Sequence, residues 1–445
     1  MVLVHSSCVM DSRFWAAQAG LLLVCTMAGP VAFADWPDRH GPTLDGRVSA
    51  ADGQNLPTSW DATTNVAWKA ALHGIGHSSP VVAEGRVWLT MATEDGTEQS
   101  VMVIDEADGS VIHDDILFVN EDVEPLGGAV GFNNYAAPSP VVGDDGIYVH
   151  FGSYGTAKLD PETAATIWER RDLKCRHFRG PGSSPLLVDQ KLILTFDGID
   201  QQYTVALDAT TGKTLWRTER STDYGDLGDD GKPFRDGDLR KAYCTPGIAK
   251  VGDQTQILSV GSRAMQAYDL DSGREIWTVR HGQYNAAIRP LWLSDSGLVI
   301  ANTGSRGAAL MAIRLDETTL GDVTDTHVVW QRPRGNPRFA MPLRFRDALF
   351  QLTDNGIVSC LDVATGDEVW KTRVGGNYRA SPILLGDSIL CLSEEGVATW
   401  FRAARDYQLI ASNEVSAMGT TACPAVSKGA LFIRGKQHLF KIRKP

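Results

Sequence analysis

Ala206-Leu207-Asp208-Ala209-Thr210-Thr211-Gly212-Lys213-Thr214-Leu215-Trp216 reads as strand, tight turn, strand. Thr204 to Leu207 is β-branched and apolar. Asp208 can accept hydrogen bonds from the amides of the turn that follows it. Gly212 supplies the positive φ that ends such a turn without a Cβ clash. Weaker copies recur: Ile104-Asp105 to Gly109, Leu159-Asp160 to Trp168, Asp269 to Gly273 and Trp277, and Leu361-Asp362 to Gly366 and Trp370. A stretched copy runs from Ile313 to Trp330, and Phe401 to Ile410 has lost the Asp, Gly and Trp.

Each cycle opens on a residue followed by proline: Ser79-Pro80, Ser139-Pro140, Ser184-Pro185, Thr245-Pro246, Arg289-Pro290, Met341-Pro342, Ser381-Pro382 and Cys423-Pro424. Proline cannot donate to a ladder, so it belongs at a strand start or edge. A turn and an alternating strand follow, such as Leu192 to Thr195 or Ile389 to Leu392. Four strands per cycle, repeated at roughly 40 to 60 residues, predict an all-β, eight-bladed β-propeller with four-stranded antiparallel blades. The eighth cycle lacks a fourth strand after Lys441. Asn65 to Lys69 carries a tryptophan where that strand should, so this N-terminal strand is expected to close the last blade. Trp68, Trp168, Trp216, Trp277, Trp330 and Trp370 are expected to wedge between neighbouring sheets. Burying each indole removes about 150–250 Å² from water, roughly 4–6 kcal/mol gross.

The rest of the chain is less regular. Residues 1–34 read as a signal peptide, with an apolar run at Leu21 to Cys25 and the small-x-small pattern Ala32-Phe33-Ala34. On this reading Met1 and Met10 are the two candidate start positions. A lipobox at Leu22 to Cys25 is disfavoured by the bulk of Val24. Residues 35–64 show no period and read as an extended arm laid over the surface, and residues 65–445 are the propeller. A net charge of −12 argues against nucleic acid and acidic membranes as partners. The mature chain has no run long enough to span a bilayer and is expected to be monomeric. Of seven cysteines, Cys175, Cys244, Cys360, Cys391 and Cys423 would remain after export, with no C-x-x-C spacing. Cys175 and Cys244 are the one pair worth testing for a bridge.

The repeat resembles the tryptophan-docking repeat of the pyrroloquinoline quinone (PQQ) propeller superfamily. That superfamily holds quinoprotein alcohol and glucose dehydrogenases and the non-enzymatic, BamB-like propellers of outer-membrane protein assembly. Trp36 to Pro42, Leu56 to Trp60, Asn65 to Lys69 and Ser78-Ser79-Pro80 are similar to exported PQQ-like repeat proteins of planctomycete-type bacteria. The resemblance covers the chain after residue 34 and implies the fold more strongly than an activity. The chain lacks the vicinal cysteine pair and the C-x-x-C-H of the dehydrogenases.

Residues ahead of each blade-opening proline should approach one mouth of the central channel. They include His77, Asn134, His177, Arg179, Tyr243, Asn285, Arg289, Arg338, Tyr378 and Arg379, a polar, aromatic and cationic set in an acidic chain. Such residues could converge on an anion: a quinone carboxylate, a phosphate or an acidic peptide. Insertions at 114–134 and 218–240 should lie on the same face, and the second is Asp-rich without an EF-hand spacing. No catalytic or metal-binding motif is present. The expectation is a non-catalytic binding or scaffold propeller of the bacterial cell envelope, exported to the periplasm and engaging another envelope protein or peptide. The alternative is a PQQ- and calcium-dependent oxidoreductase acting on an alcohol or sugar.

Overall fold

A computed structural model describes residues 36–128, 132–304 and 307–445. The segment read as a signal peptide therefore lies outside the described residues. The quoted repeat forms strands Gln202–Asp208 and Thr214–Glu219, the outer pair of a sheet begun by Leu186–Val188 and Lys191–Asp197. Seven further sheets repeat this antiparallel order, giving the eight-bladed β-propeller. The eighth blade is Ala425–Ser427, Ala430–Arg434 and His438–Ile442, completed by Val66–Ala71. Trp68 faces Lys441 in that pairing, so the N-terminal strand closes the ring as expected.

The repeat turn has a second reason for its glycine. Gly212 lies at φ +70°, and a Cβ there would come 2.7 Å from the Trp168 ring of the preceding blade. Gly273 against Trp216, Gly366 against Trp330 and Gly109 against Trp68 repeat the arrangement at 2.4–2.7 Å. Each indole N–H also donates to a carbonyl in the next blade, Trp168 to Ala209 at 3.0 Å and Trp216 to Leu270 at 2.9 Å. The tryptophans are thus couplings between blades, which a glycine-sized floor admits.

Trp277 departs from this pattern. Its N–H turns back to Gln256 Oε1 at 2.8 Å, and its strand, Glu275–Arg280, gains a fifth neighbour, Gly321–Asp322, running parallel to it. That strand comes from the stretched fifth cycle. Helix is confined to one four-residue turn, Thr324–His327, and three 3-10 turns among the described residues. No described helix is long and apolar enough to cross a membrane.

The start of the segment expected to lie over the surface, Trp36 to Gly41, is instead largely buried, while most of the residues from Pro42 to Thr64 are exposed or half-exposed. Trp36, Asp38 and His40 are 1–3% exposed. No ladder runs through them, which is why no period marks them; their burial is imposed by the ring. Arg47–Val48 then pairs parallel with Leu384 and Leu385, on the inner edge of blade 7. All five described cysteines are buried and free. Cys244 Sγ faces the carbonyls of Thr245 and Ile288 at 3.2 Å, whereas Cys175 Sγ faces His177 at 3.6 Å, so no bridge joins them.

Candidate functional site

The centre of the ring is organised by the residues before the prolines. The Ser79 N–H donates to Ser139 Oγ at 2.8 Å, Ser139 to Ser184 at 2.9 Å, and Ser184 to Thr245 Oγ1 at 3.0 Å. On the far side Met341 donates to Ser381 Oγ at 3.0 Å, Ser381 to Cys423 Sγ at 3.3 Å, and Cys423 to Ser79 Oγ at 3.0 Å. A short hydroxyl or thiol in six of the eight blades satisfies the buried amide of the blade before it, which proline-opened strands would otherwise leave without a partner. Blades 5 and 6 break the belt with Arg289 and Met341.

Trp36 to His40 occupies the space inside this belt. Trp36 pairs with Val82 of blade 1, and the Pro37 carbonyl accepts from Val142 of blade 2 at 2.9 Å. Asp38 takes two hydrogen bonds from Arg289 of blade 5, at 2.6 and 2.8 Å. Arg39 reaches Cys423 Sγ of blade 8 at 3.7 Å, and His40 Nε2 meets Ser381 Oγ of blade 7 at 3.1 Å. Five residues that touch blades 1, 2, 5, 7 and 8 lie across the bore. Burial, with Arg39 and Arg289 nearby, holds the His40 pKa well below its usual value. Burial raises the Cys423 thiol pKa, but Arg39 and the Ser381 N–H outweigh it and the net shift is downward.

The expected mouth residues fall into distinct groups. Arg179 sits 3.8 Å from Asp238 of the Asp-rich insertion, its guanidinium 5.6 Å from the Phe178 ring. Lys241, fully buried beside it, also pairs with Asp238, and burial together with Arg179 lowers its pKa to about 7. The Tyr243 hydroxyl is buried near Arg179 without a hydrogen-bond partner, and burial raises its pKa. Asn285 closes this corner, donating its N–H to the Lys241 carbonyl at 3.2 Å from a left-handed backbone, φ +59°. Arg179, Tyr243 and Asn285 are therefore brought together, with Lys241 among them.

A second group gathers where blades 7, 8 and 1 meet. Arg379 pairs with Glu394 at 2.9 Å, lies 4.1 Å from the Phe132 ring and donates to the Phe132 carbonyl at 2.7 Å. Phe132 comes from the 114–134 insertion and packs on Phe339 of the loop entering blade 6, ring centres 5.6 Å apart. That insertion therefore crosses the mouth. His77 is half-buried beside Arg434 and Arg379; desolvation, then those two cations, lowers its pKa to about 3. Arg434 is buried against the Ser78 carbonyl at 2.9 Å, and burial lowers its pKa to about 9.

The remaining expected residues serve the frame. Arg289 is inside the belt. Arg338 pairs with Asp354, whose carboxylate also accepts the Arg338 N–H at 2.9 Å. Tyr378 is 1% exposed within the core of blades 6 and 7, and Asn134 accepts the Ala136 N–H at 2.9 Å. His177 Nε2 accepts the Ser153 N–H at 3.0 Å, and burial lowers its pKa to about 4. With His150 it lines a small polar cavity of about 10 Å³, room for one water. Nothing in the repeat marks Arg434 or Phe132 as mouth residues. Asp238 is legible only as one carboxylate of the Asp-rich insertion, and Asp354 and Glu394 recur at one place in the turns Thr353 to Gly356 and Ser393 to Gly396 with nothing local to show the arginine each meets.

A quinone over calcium makes specific demands on this mouth. It needs a metal-binding donor set and cations free to meet quinone carboxylates. Among the described residues no three His, Cys, Asp or Glu side chains gather to hold a metal ion. Arg179, Arg289, Arg338 and Arg379 each meet a carboxylate of this chain. These residues do not fit that group.

The family model described as outer membrane protein assembly factor BamB matches residues 34–174, 129–244, 200–338 and 265–436. BamB from Moraxella catarrhalis is similar in structure, with a TM-score of 0.54 at 15% identity, over 84% of this chain and 99% of that one. Quinohemoprotein alcohol dehydrogenase from Comamonas testosteroni gives 0.61 at 13% identity, over 93% and 82%. The computationally designed Ika8 protein gives 0.54 at 9% identity, over 85% and 99%. At such identities the likeness is one of fold. No curated protein sequence matches the chain significantly.

Proposed function

Because the chain belongs to the family described as outer membrane protein assembly factor BamB, we propose that it is a non-catalytic binding scaffold of the bacterial cell envelope. On this reading residues 1–34 direct export and are removed. The mature propeller, a monomer, then holds an acidic segment of another envelope protein against the mouth. The observation that carries the reading is the state of the mouth arginines: each is partly paired with a carboxylate of the chain and lies against an aromatic ring. Prearranged, partly paired cations suit a rim contact that orients a protein partner. They suit less well a small polyanion, which would have to displace the chain's own carboxylates. At the junction of blades 7, 8 and 1, Arg379, Arg434 and Lys436 all act on His77, so positive potential concentrates there in a chain of net charge −12.

The test has two arms. In the first, the purified protein is titrated with PQQ and calcium while quinone absorbance and dye-linked alcohol oxidation are followed. A stoichiometric complex with turnover overturns the scaffold reading. In the second, Arg179→Glu and Arg379→Glu are combined, and site-specific photo-crosslinking from Phe178 in intact cells reports the partner. The double variant should fold and lose the crosslinked band. An unchanged band removes the mouth from the interface.

A further inference from the structure

The ring leaves open the outermost strand of each blade. Most are guarded: Thr166–Arg170, Thr214–Glu219 and Glu368–Arg373 carry alternating Glu, Lys and Arg beside the docking tryptophan. Charges of that kind discourage pairing with a further strand. The edge of blade 1, Val111–Val119, is different. At nine residues it is longer than any other described strand, and among the fourth strands of the blades it shares only with the six-residue Leu409–Glu414 of blade 7 the absence of both Lys and Arg. Val111, Ile112, Ile116 and Val119 are 38–58% exposed along it. His113 stands where the tryptophan belongs.

The chain itself shows what covers such an edge. At blade 4 Gly321–Asp322 adds as a parallel fifth strand, Trp277 facing Gly321 and Thr278 facing Asp322. The ladder continues as Val323 N–H to the Thr278 carbonyl and Arg280 N–H to Thr324 Oγ1, both at 2.9 Å. Val323 is 2% exposed and packs in the same core as Ile276, the residue before the tryptophan, which is 5% exposed. In uncovered blades the corresponding Ile167, Leu215 and Val369 are 37–50% exposed. The same bulge aligns the two edges. The register shifts between Ala267, facing Trp277, and Tyr268, facing Glu275; in blade 1 it shifts between Val103, facing His113, and Ile104, facing Val111. Ile112 therefore stands where Ile276 does.

We propose that the outer edge of blade 1, over Val111 to Ile116, is a docking site for an extended segment of another protein. That segment adds as a fifth strand parallel to the edge. It places an apolar side chain over Ile112 and, on the alternate face, a Lys or Arg side chain against Asp114, while Asp115 adds to the negative charge of the edge. Those two carboxylates are 32% and 51% exposed, and their ion-pair partners among the described residues are histidines, His73 at 2.7 Å and His113 at 3.4 Å. A cationic, alternating segment matches both charge and pattern. A second copy centred on the same stretch would set these carboxylates against each other. Beyond Ile116 the edge is closed, because Arg171 of blade 2 donates to the Val119 carbonyl at 2.7 Å. The site lies on the rim and does not depend on the mouth interface.

The probe is a fluorescent ten-residue peptide of alternating Lys and Val, followed by anisotropy with the full chain. Controls are its Glu–Val counterpart and a version N-methylated at alternate amides. The Lys–Val peptide should bind, and the methylated one should not. Ile112→Lys, at an exposed position, should weaken binding at least tenfold, while Leu215→Lys on blade 3 leaves it unchanged. Asp114→Lys with Asp115→Lys should shift preference to the Glu–Val peptide. Hydrogen exchange should slow within 111–116 on binding. Absence of binding at millimolar peptide, equal loss with Leu215→Lys, or indifference to charge reversal overturns the proposal. So does a self-associating protein that Ile112→Lys renders monomeric, since the occupant would then be a second copy.

Discussion

Asp38→Ala removes one half of the ion pair that holds the N-terminal segment across the bore. Arg289 and Asp38 side chains are 1% and 4% exposed and share hydrogen bonds of 2.6 and 2.8 Å. After the substitution Arg289 keeps its Nε–H bond to the Pro246 carbonyl at 3.1 Å and a 3.4 Å contact with His40 Nδ1. Two charge-assisted hydrogen bonds at about 1.5–3 kcal/mol each are lost. A buried charge left without its partner costs about 3–5 kcal/mol, and the two ranges agree. The segment can escape that cost by leaving the bore so that water solvates Arg289. Leaving exposes Trp36, about 5 kcal/mol of apolar burial at about 25 cal/mol per Å² over about 200 Å². It also restores backbone freedom worth about 1–2 kcal/mol per residue, so expulsion is competitive. The assays are urea unfolding followed by tryptophan fluorescence, and trypsin cleavage after Arg39, which the wild-type bore protects. The variant should lose about 3–5 kcal/mol, or be cut at Arg39 in the native state. Asp38→Leu combined with Arg289→Met should recover most of the loss, because neither charge remains. Unfolding within about 0.5 kcal/mol of wild type, with Arg39 still protected, refutes the reasoning.

Gly273→Ala and Gly252→Ala separate the two demands on the repeat turn. Both glycines have positive φ, but a Cβ at Gly273 meets the Trp216 ring at 2.4 Å, whereas at Gly252 nothing lies within 4 Å. Left-handed backbone costs each variant about 1–2 kcal/mol; displacing the indole should cost Gly273→Ala about 1–3 kcal/mol more, and equal midpoints in urea would refute the docking argument. Stability should also fall on mild acidification. His40, His150 and His177 are buried and His281 is half-buried, and desolvation holds their pKa values down, to about 3 for His150 and about 4 for His177 and His281. In the unfolded chain they titrate near 6.5. Between about pH 6.5 and 4 the unfolded state binds the protons, so stability is complete above pH 6.5 and falls by about 1.4 kcal/mol per pH unit for each histidine below it. A urea midpoint that is the same at pH 7 and pH 5 contradicts this.

The blades were legible because every blade makes the same local demand. Proline opens the inner strand, glycine ends the turn, and a tryptophan looks for the next blade's floor, so the signal repeats wherever the physics does. Trp68 carried that mark into the front of the chain and disclosed how the ring closes. Asp38 carried no mark. Its partner is 251 residues away, and a unique contact at that distance leaves no period, so the segment reads as a surface arm. The mouth was legible as a type of chemistry and not as a set of partners. The pre-proline position locates Arg179 and Arg379, but nothing local to Asp238 or Glu394 shows that these carboxylates decide what those arginines are free to do. The absence of Lys and Arg from Val111–Val119 was visible in the sequence. Its meaning came only from Gly321–Asp322 lying on the matching edge of blade 4.

Closing the last blade with Val66–Ala71 sets an order in time. Seven sheets can form from strands adjacent in the chain, but the eighth must wait until His438–Ile442 has been synthesised and both ends of the ring have met. The belt bond from Cys423 to Ser79 spans 344 residues, and bringing such distant points together costs about 5 kcal/mol of loop-closure entropy. Until then two sheet edges stand open, each complementary to the same edge on any other incomplete molecule. The latch that removes edges from the finished ring is therefore also where strand exchange between two half-made rings can begin. At high concentration, refolding should yield swapped dimers joined through Val66–Ala71.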